Sequence, residues 1–299
     1  MITVFGSINM DLIATTDRLP EPGETVAGKS FATAAGGKGA NQALAARRAG
    51  SAVHMAGAVG RDAFAEPALA LLDQAGVDLS AVSHVEGPTG TALILVGGTG
   101  ENMIAVVPGA NGAVDERQAR AAVEAMSPGD VLMLQLEVPA AAVEAALQAA
   151  KAKGVSSILN TAPLTAEAAR LAKLADVVIT NETEFELLTG RADLQPAKRE
   201  DALQKMNAQT GQTFIITLGA EGVIAARDGR LHRAQGLAIQ PVDTVGAGDT
   251  FCGYLAAGLD SGLAFGEALH RAAVAGSLAC LQPGAQPSIP TETEVAGHL

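Results

Sequence analysis

Tryptophan is absent from the 299 residues, tyrosine occurs once, and aromatics amount to 3%. A chain so poor in rings has no platform on which single-stranded bases could stack. Positive charge is also in deficit. Lys and Arg number 20 against 32 Asp and Glu, a net charge of −12. Neutralising a phosphate backbone needs a basic surface, so this balance argues against a nucleic-acid partner. Cysteine is limited to Cys252 and Cys280, both in apolar stretches that read as helix. A disulfide framework would carry more, in loops. These two read as small buried hydrophobes, and the usage points to the cytoplasm. No apolar run reaches the ~18 residues of a membrane span. The longest candidate, Phe251 to Gly266, is interrupted by Asp260 and several glycines. The opening Ile2-Thr3-Val4-Phe5 reads as a core strand and lacks the basic start of a leader. The five His show no metal-ligand spacing, and no Gly-x-Ser-x-Gly elbow supplies an esterase nucleophile.

What is plentiful is small and apolar: 34 Gly, and 48% hydrophobic residues. Short apolar runs alternate with alanine-rich stretches. Strands are expected at Ile2–Phe5, Val53–Ala58, Val131–Leu136, Ser157–Leu159, Val177–Thr180 and Thr213–Thr217. Helices are expected at Ala40–Ala49, Ala63–Ala75, Glu116–Ala125, Ala140–Ala152, Ala166–Ala175 and Glu200–Gln209. Near-continuous apolar strands are those buried on both faces. The alternation therefore implies an α/β fold, a doubly wound, mainly parallel sheet sandwiched by helices, in one domain over 1–299. Two excursions break the pattern, at about 12–35 and 89–108. Both read as β structure, pairing into a small inserted sheet placed to act as a lid.

Gly23-Glu24-Thr25-Val26-Ala27-Gly28-Lys29-Ser30 fits the P-loop pattern letter for letter. The context refuses it. Pro20 and Pro22 precede it where a buried strand is needed, and no helix follows before Gly36-Gly37.

The strongest chemical signal is Asp243-Thr244-Val245-Gly246-Ala247-Gly248-Asp249-Thr250-Phe251, leading into a helix. Gly246, Ala247 and Gly248 at a helix start present backbone N–H groups to an anion such as phosphate. Asp249 then reads either as a first-turn acid that complements the helix dipole or as a general base beside a phosphoryl group. Asp243, six residues earlier, favours the second reading, because two carboxylates around a phosphate turn need a compensating cation or proton. A second signal is Gly36-Gly37-Lys38-Gly39-Ala40-Asn41-Gln42, in which Lys38 and Asn41 share a helix face. A third is Gly6-Ser7-Ile8-Asn9-Met10-Asp11, just beyond the first strand, where open α/β sheets contact ligands.

The glycine pair with Lys38 and Asn41, and the late Asp-Thr-x-Gly-Ala-Gly-Asp, resemble the two signatures of the ribokinase-like (PfkB-type) sugar kinases. The likeness extends through Pro22–Val26, Gly109–Asn111, Gln135–Glu137, Asn181–Glu184, Thr217–Gly219 and Gly284–Ser288. The resemblance implies ATP-dependent phosphorylation of the primary hydroxyl of ribose. Asp249 would be the catalytic base, and Gly246, Ala247 and Gly248 the anion hole. Asn9, Asp11, Gly37, Lys38, Asn41, Glu137 and Asp249 would hold the sugar. Asn181, the turn Thr217, Leu218, Gly219, Ala220, Glu221 and Gly222, and Gly248 would face ATP. Glu184 would organise Mg2+ indirectly. Asp243, Val245, Ala279, Gln282, Gly284 and Ser288 match positions around a monovalent cation, K+. The family fold carries a β lid, through which a homodimer is expected. Thr161 stands where the family usually has Pro, Ala273 where many relatives have a polar residue, and Gln282 is atypical.

Rival readings remain at this stage. A nucleoside kinase would stack its base on aromatics, yet the excursions hold only Phe31. A sugar-phosphate kinase needs basic residues there, and finds only Arg18 and Lys29. Fructose and deoxyribose stay open. A non-catalytic sugar-binding regulator should have lost the base or the anion hole, and both are present.

Overall fold

In the computed structural model, which describes residues 1–192 and 194–299, two sheets form. The strands are β1 (Ile2–Phe5), β2 (Asn9–Thr16), β3 (Gly28–Gly36), β4 (Val53–Val59), β5 (Asp78–His84), β6 (Gly90–Val96), β7 (Asn102–Val107), β8 (Val131–Leu134), β9 (Ser156–Asn160), β10 (Val177–Asn181), β11 (Thr213–Thr217), β12 (Val223–Arg227) and β13 (Arg230–Ala234). The helices are α1 (Lys38–Arg48), α2 (Ala65–Ala75), α3 (Glu116–Glu124), α4 (Ala140–Lys153), α5 (Ala168–Ala172), α6 (Glu182–Thr189), α7 (Pro196–Thr210), α8 (Ala247–Asp260), α9 (Phe265–Ala279), α10 (Ala285–Ser288) and α11 (Glu292–Ala296).

The large sheet runs β13-β12-β11-β10-β9-β8-β1-β4-β5. From β11 to β5 every pairing is parallel, and β12 and β13 close one edge antiparallel. Period-2 side-chain alternation divides the apolar strands between two cores. Ile2, Val4, Val131 and Met133 point into the layer of α1, α2, α8 and α9. Phe5, Leu132 and Leu134 point into the opposite layer of α3 to α7. This is why the central strands are near-continuously apolar. The chain proceeds from β1 to β4 and β5 on one side, then returns through β8 to β11 on the other. The reversal lies between β1 and β8, where the carboxyl ends of an open α/β sheet leave a crevice.

The small sheet runs β3-β2-β6-β7. It draws on both expected excursions, with one difference. Asn9 and Asp11 are not in a turn after β1 but are already paired in β2, opposite Gly36 and Ala34 of β3. Gly28 to Ser30 of the refused P-loop pattern lie in β3, and Lys29 pairs with Asp17. β8 ends at Leu134, two residues short of expectation, and beyond it Leu136 and Glu137 line the crevice. β5, β13 and α6 had no clear apolar pattern. β5 is largely exposed or half-buried, and β13 reads Arg-Leu-His-Arg-Ala. Cys252 is buried as expected, whereas Cys280 caps α9 and is only partly buried. Among the described residues no helix is long and apolar enough to cross a membrane.

Candidate active site

Two glycines decide how the helices that build the site begin. Gly246 precedes α8 at φ 78°, and a Cβ there would come within 2.8 Å of the Ala285 Cα. Gly37 precedes α1 at φ 88°, where a Cβ would meet Asn9 N at 2.7 Å and Ser7 O at 2.9 Å. Left-handed backbone with no room for a side chain leaves glycine as the residue that fits. Gly248 differs: nothing lies within 4 Å of its absent Cβ. The fold does not require glycine there, so the open space favours a ligand approaching the backbone.

α1 and α8 pack closely, and this sets the chemistry. Asn41 Nδ2 donates to Asp249 Oδ2 at 2.9 Å, and Gln42 Nε2 donates to Asp249 Oδ1 at 3.0 Å. Asp249 and both amides are buried. The carboxylate thus sits in the first turn of α8, where the helix dipole favours negative charge, with one amide on each oxygen.

In front of Asp249 lies a cleft of about 660 Å³, bounded by Asn9, Asp11, Lys38, Asn41 and Glu137. Ile94, Ile104 and Val106 of the small sheet form its apolar wall. A larger cavity, about 710 Å³, opens at the amino-terminal edge of the large sheet and holds none of these residues. Glu137 is anchored: its Oε2 accepts from Ser7 Oγ at 2.5 Å and from Lys38 N at 3.1 Å. Asn9 Oδ1 accepts from Asn111 Nδ2 at 2.7 Å, and Asn111 is itself tied to Ile8 N and Ile8 O. Burial, reinforced by Glu137 and Asp249, pushes the Asp11 carboxyl up to about 6, against a smaller opposing effect of Lys38. The Lys38 ammonium is held above its usual value by Asp249, then by Glu137 and Glu184, against its own desolvation. Fixed acceptors and amides around one ammonium suit a neutral ligand rich in hydroxyls.

A second group lies along the carboxyl ends of β9 to β11. Asn181 and Thr217 are register partners on β10 and β11. Asn181 caps α6: its Oδ1 accepts from Glu184 N at 2.8 Å, and Glu184 Oε2 accepts from Asn181 N at 3.0 Å. Thr161 Oγ1 donates to the same Glu184 oxygen at 3.3 Å, a bond that Pro at that position could not make. The turn after Thr217 is closed by Leu218 N donating to Gly222 O, which leaves Gly219, Ala220 and Glu221 exposed. Asn160 Oδ1 accepts from Gln42 Nε2 at 3.3 Å and so links this group to Asp249.

Behind the Gly246 turn, Asp243 joins two segments. Its Oδ1 accepts from Val245 N at 3.0 Å and its Oδ2 from Gly284 N at 2.8 Å. Ala279 ends α9, Gln282 is exposed, and Ser288 Oγ donates to Ala285 O.

Against known proteins, the model of the pfkB family carbohydrate kinases matches residues 1–292. The chain belongs to the pfkB family of carbohydrate kinases. It is 38% identical to a ribokinase of Haemophilus influenzae, covering 100% of this chain and 98% of that protein. It is 34% identical to a deoxyribokinase of Salmonella typhi, over 85% of this chain and 84% of that one. Its fold matches that of Arabidopsis thaliana ribokinase complexed with ribose and ATP, with a TM-score of 0.88, 32% identity, and coverage of 99% and 97%. In this kinase Asn9, Asp11, Gly37, Lys38, Asn41, Glu137 and Asp249 meet at one cleft, with Gly246 on its rim. Asn181 and Thr217 to Gly222 meet at the ends of β10 and β11. Sequence reasoning missed Ser7, Gln42, Asn111, Gln135 and Asn160. Gln42 was visible beside Asn41, but one-face spacing selected Lys38 and Asn41. The others become partners only through contacts between distant segments.

Proposed function

We propose that this carbohydrate kinase transfers the γ-phosphoryl group of ATP to the primary hydroxyl of D-ribose, yielding ribose 5-phosphate and ADP. The carrying observation is a buried, amide-held Asp249 at the base of a hydroxyl-binding cleft, immediately after the Gly246-Ala247-Gly248 turn. Asn9, Asp11, Gly37, Lys38, Asn41 and Glu137 orient the sugar. The hydroxyl proton passes to Asp249 as its oxygen bonds to the γ-phosphorus. The bond from that phosphorus to the bridging oxygen then breaks, and ADP leaves. The N–H groups of Gly246, Ala247 and Gly248 stabilise the charge that develops on the transferring group. Asn181, the turn Thr217 to Gly222, and Gly248 face the nucleotide. The similarity to a ribose- and ATP-bound ribokinase supports this substrate pair. The experiment is ADP release measured with ribose, deoxyribose, fructose, fructose 6-phosphate and adenosine. Ribose should be turned over with the highest kcat/KM, and preference for another acceptor would overturn the assignment.

Mg2+ supplies charge neutralisation between the phosphates when bound. Glu184 fits an indirect role, because both its bonds fall on Oε2, leaving Oε1 for water. A monovalent cation, K+, fits the donor set of the Asp243 loop: a carboxylate, a hydroxyl on Ser288, and backbone carbonyls around Val245, Ala279, Gln282 and Gly284. Among the described residues no backbone N–H bonds the Ala279 carbonyl at the end of α9, with Pro283 four positions on, which suits that oxygen to a hard cation. Since Asp243 already ties Val245 to Gly284, a cation there would order the anion-hole turn from behind. Turnover should be low in tetramethylammonium buffer and rise with K+ more than with the smaller Na+. Asp243→Ala should abolish that response, and K+ activation surviving in it would exclude the site.

The small sheet is read as a lid on the single domain and as the seam of a homodimer. Phe31 is 68% exposed, and Leu93, Met103 and Val107 are also exposed apolar residues of this sheet. A cluster of this kind marks an interaction surface. Phe31→Asp combined with Met103→Asp should convert a dimer to a monomer in sedimentation velocity. A wild type that sediments as a monomer would refute the seam.

A further inference from the structure

Asp249 is held by two amides of different character. Asn41 lines the cleft, and its Oδ1 is buried without a partner among the described residues. An incoming hydroxyl therefore finds an acceptor on Asn41 and can draw this side chain into sugar binding. Gln42, 1% exposed, does not line the cleft, and its amide is engaged at both ends. Its Oε1 accepts from Gln135 Nε2 at 2.6 Å, while its Nε2 donates to Asp249 Oδ1 at 3.0 Å and to Asn160 Oδ1 at 3.3 Å.

The orientation of this chain follows from chemistry. An ionised carboxylate only accepts, so Gln42 must aim its NH2 at Asp249. Its carbonyl then faces Gln135, which must present its own NH2. Gln135 Oε1 is thereby left buried without a partner among the described residues, pressed against the position where Gly6 has no Cβ. An unpaired buried carbonyl is costly, and glycine at 6 makes room for it. Gln135 just after β8 and Asn160 at the end of β9 thus both bond Gln42 on α1, which alone of the three reaches the base, at Oδ1.

We infer that Gln42 is a positioning residue for Asp249, held in register by Gln135, and that it assigns proton acceptance to Oδ2 by keeping Oδ1 occupied throughout the cycle. The inference deepens the kinase reading and rests on it for the identity of the proton donor. The Asn41 bond to Oδ2 is exchangeable because Asn41 faces the substrate. The Gln42 bond to Oδ1 is not, because nothing in the cleft reaches Gln42. The carboxylate is then prevented from rotating when the sugar arrives, which keeps Oδ2 within reach of the hydroxyl.

The charged and titratable groups around Asp249 are Asp11 on β2, Lys38 on α1, Glu137 after β8, Glu184 on α6 and Cys252 on α8 itself. The test leaves all of them in place. Gln42→Met keeps length and removes the amide. Its kcat should fall by about 10–100-fold, part of the ~10²–10⁴ supplied by a positioned base, while sugar Kd by calorimetry should change less than about threefold. Gln135→Leu should lower kcat in the same direction by about 3–10-fold, because Gln42 then loses the bond that anchors its carbonyl and can swing away from Asp249. Should Gln42→Met fail to fold, Gln135→Leu carries the test. Gln42→Glu adds a signature that a purely structural role would not give. Its introduced carboxyl donates only when protonated, so the ratio of its kcat to that of Gln42→Met should rise as pH falls. A folded Gln42→Met with kcat within about twofold of the unsubstituted protein overturns the assignment. Turnover by the unsubstituted protein separates this from the kinase reading. If that protein phosphorylates no sugar, the kinase reading fails. The positioning is then decided by the crystal structure of Gln42→Met, in which the Asp249 carboxyl should rotate about its Cβ–Cγ bond and would keep its orientation if Gln42 does not hold it.

Discussion

Asp249→Asn is expected to lower kcat by about 10²–10⁴, the usual worth of a positioned general base. The substitution keeps size and the potential for hydrogen bonding but cannot accept the proton of the attacking hydroxyl. Sugar binding should change far less, because Asn9, Asp11, Lys38 and Glu137 remain around the cleft. The introduced amide must set its NH2 against one of the NH2 groups of Asn41 and Gln42, so some loss of order is expected as well. Single-turnover kinetics with saturating sugar and ATP isolates the chemical step. A variant that folds like wild type and keeps near-normal turnover would show that Asp249 is only a first-turn acid of α8.

Asp11→Ala is expected to lower kcat/KM for the sugar by about 10²–10⁴, since a carboxylate accepts two hydroxyl bonds and each charged bond is worth about 1.5–3 kcal/mol. The KM for ATP should move little. Equal losses toward both substrates would make Asp11 structural instead. The same residue predicts a pH dependence. With its carboxyl at about 6, Asp11 takes up a proton as pH falls below that value and loses acceptor capacity. Sugar KM should therefore rise below about pH 6, well above the range in which an ordinary carboxylate would titrate. Stability should run the opposite way. A carboxyl raised from 3.8 to about 6 favours the fold most fully below pH 3.8, and that contribution disappears as pH rises through 6. At neutral pH the penalty is about 3 kcal/mol. Asp11→Asn should accordingly stabilise the protein above pH 6 and not near pH 4, as thermal melts across that range would reveal. Such a cost in stability is what a carboxylate retained for ligand binding would carry.

The α/β alternation was legible because a strand buried on both faces must be nearly apolar throughout: β8 is wholly so, and β1 and the start of β10 are broken only by threonine. The Gly246 and Gly37 turns were legible because local backbone demands select glycine. Strands with one wet face left no such mark, and β5 and β13 went unread. Local composition could place Asn9 and Asp11 near the site but not in β2, since their partners in β3 are more than twenty residues away.

The sequence alone established a glycine-rich α/β chain with a Gly-Ala-Gly helix start suited to an anion, a following Asp249, and an early amide and ammonium pair. Those features depend on neighbours along the chain. The tertiary structure decided what they act upon. Gln42 Nε2 and Asp249 Oδ1 lie 3.0 Å apart across 207 positions, and Ser7 reaches Glu137 across 130. No periodicity encodes such pairs, because they arise from how closely α1 packs on α8. Gly253 permits that approach, since a Cβ there would lie 2.7 Å from Ala46 N.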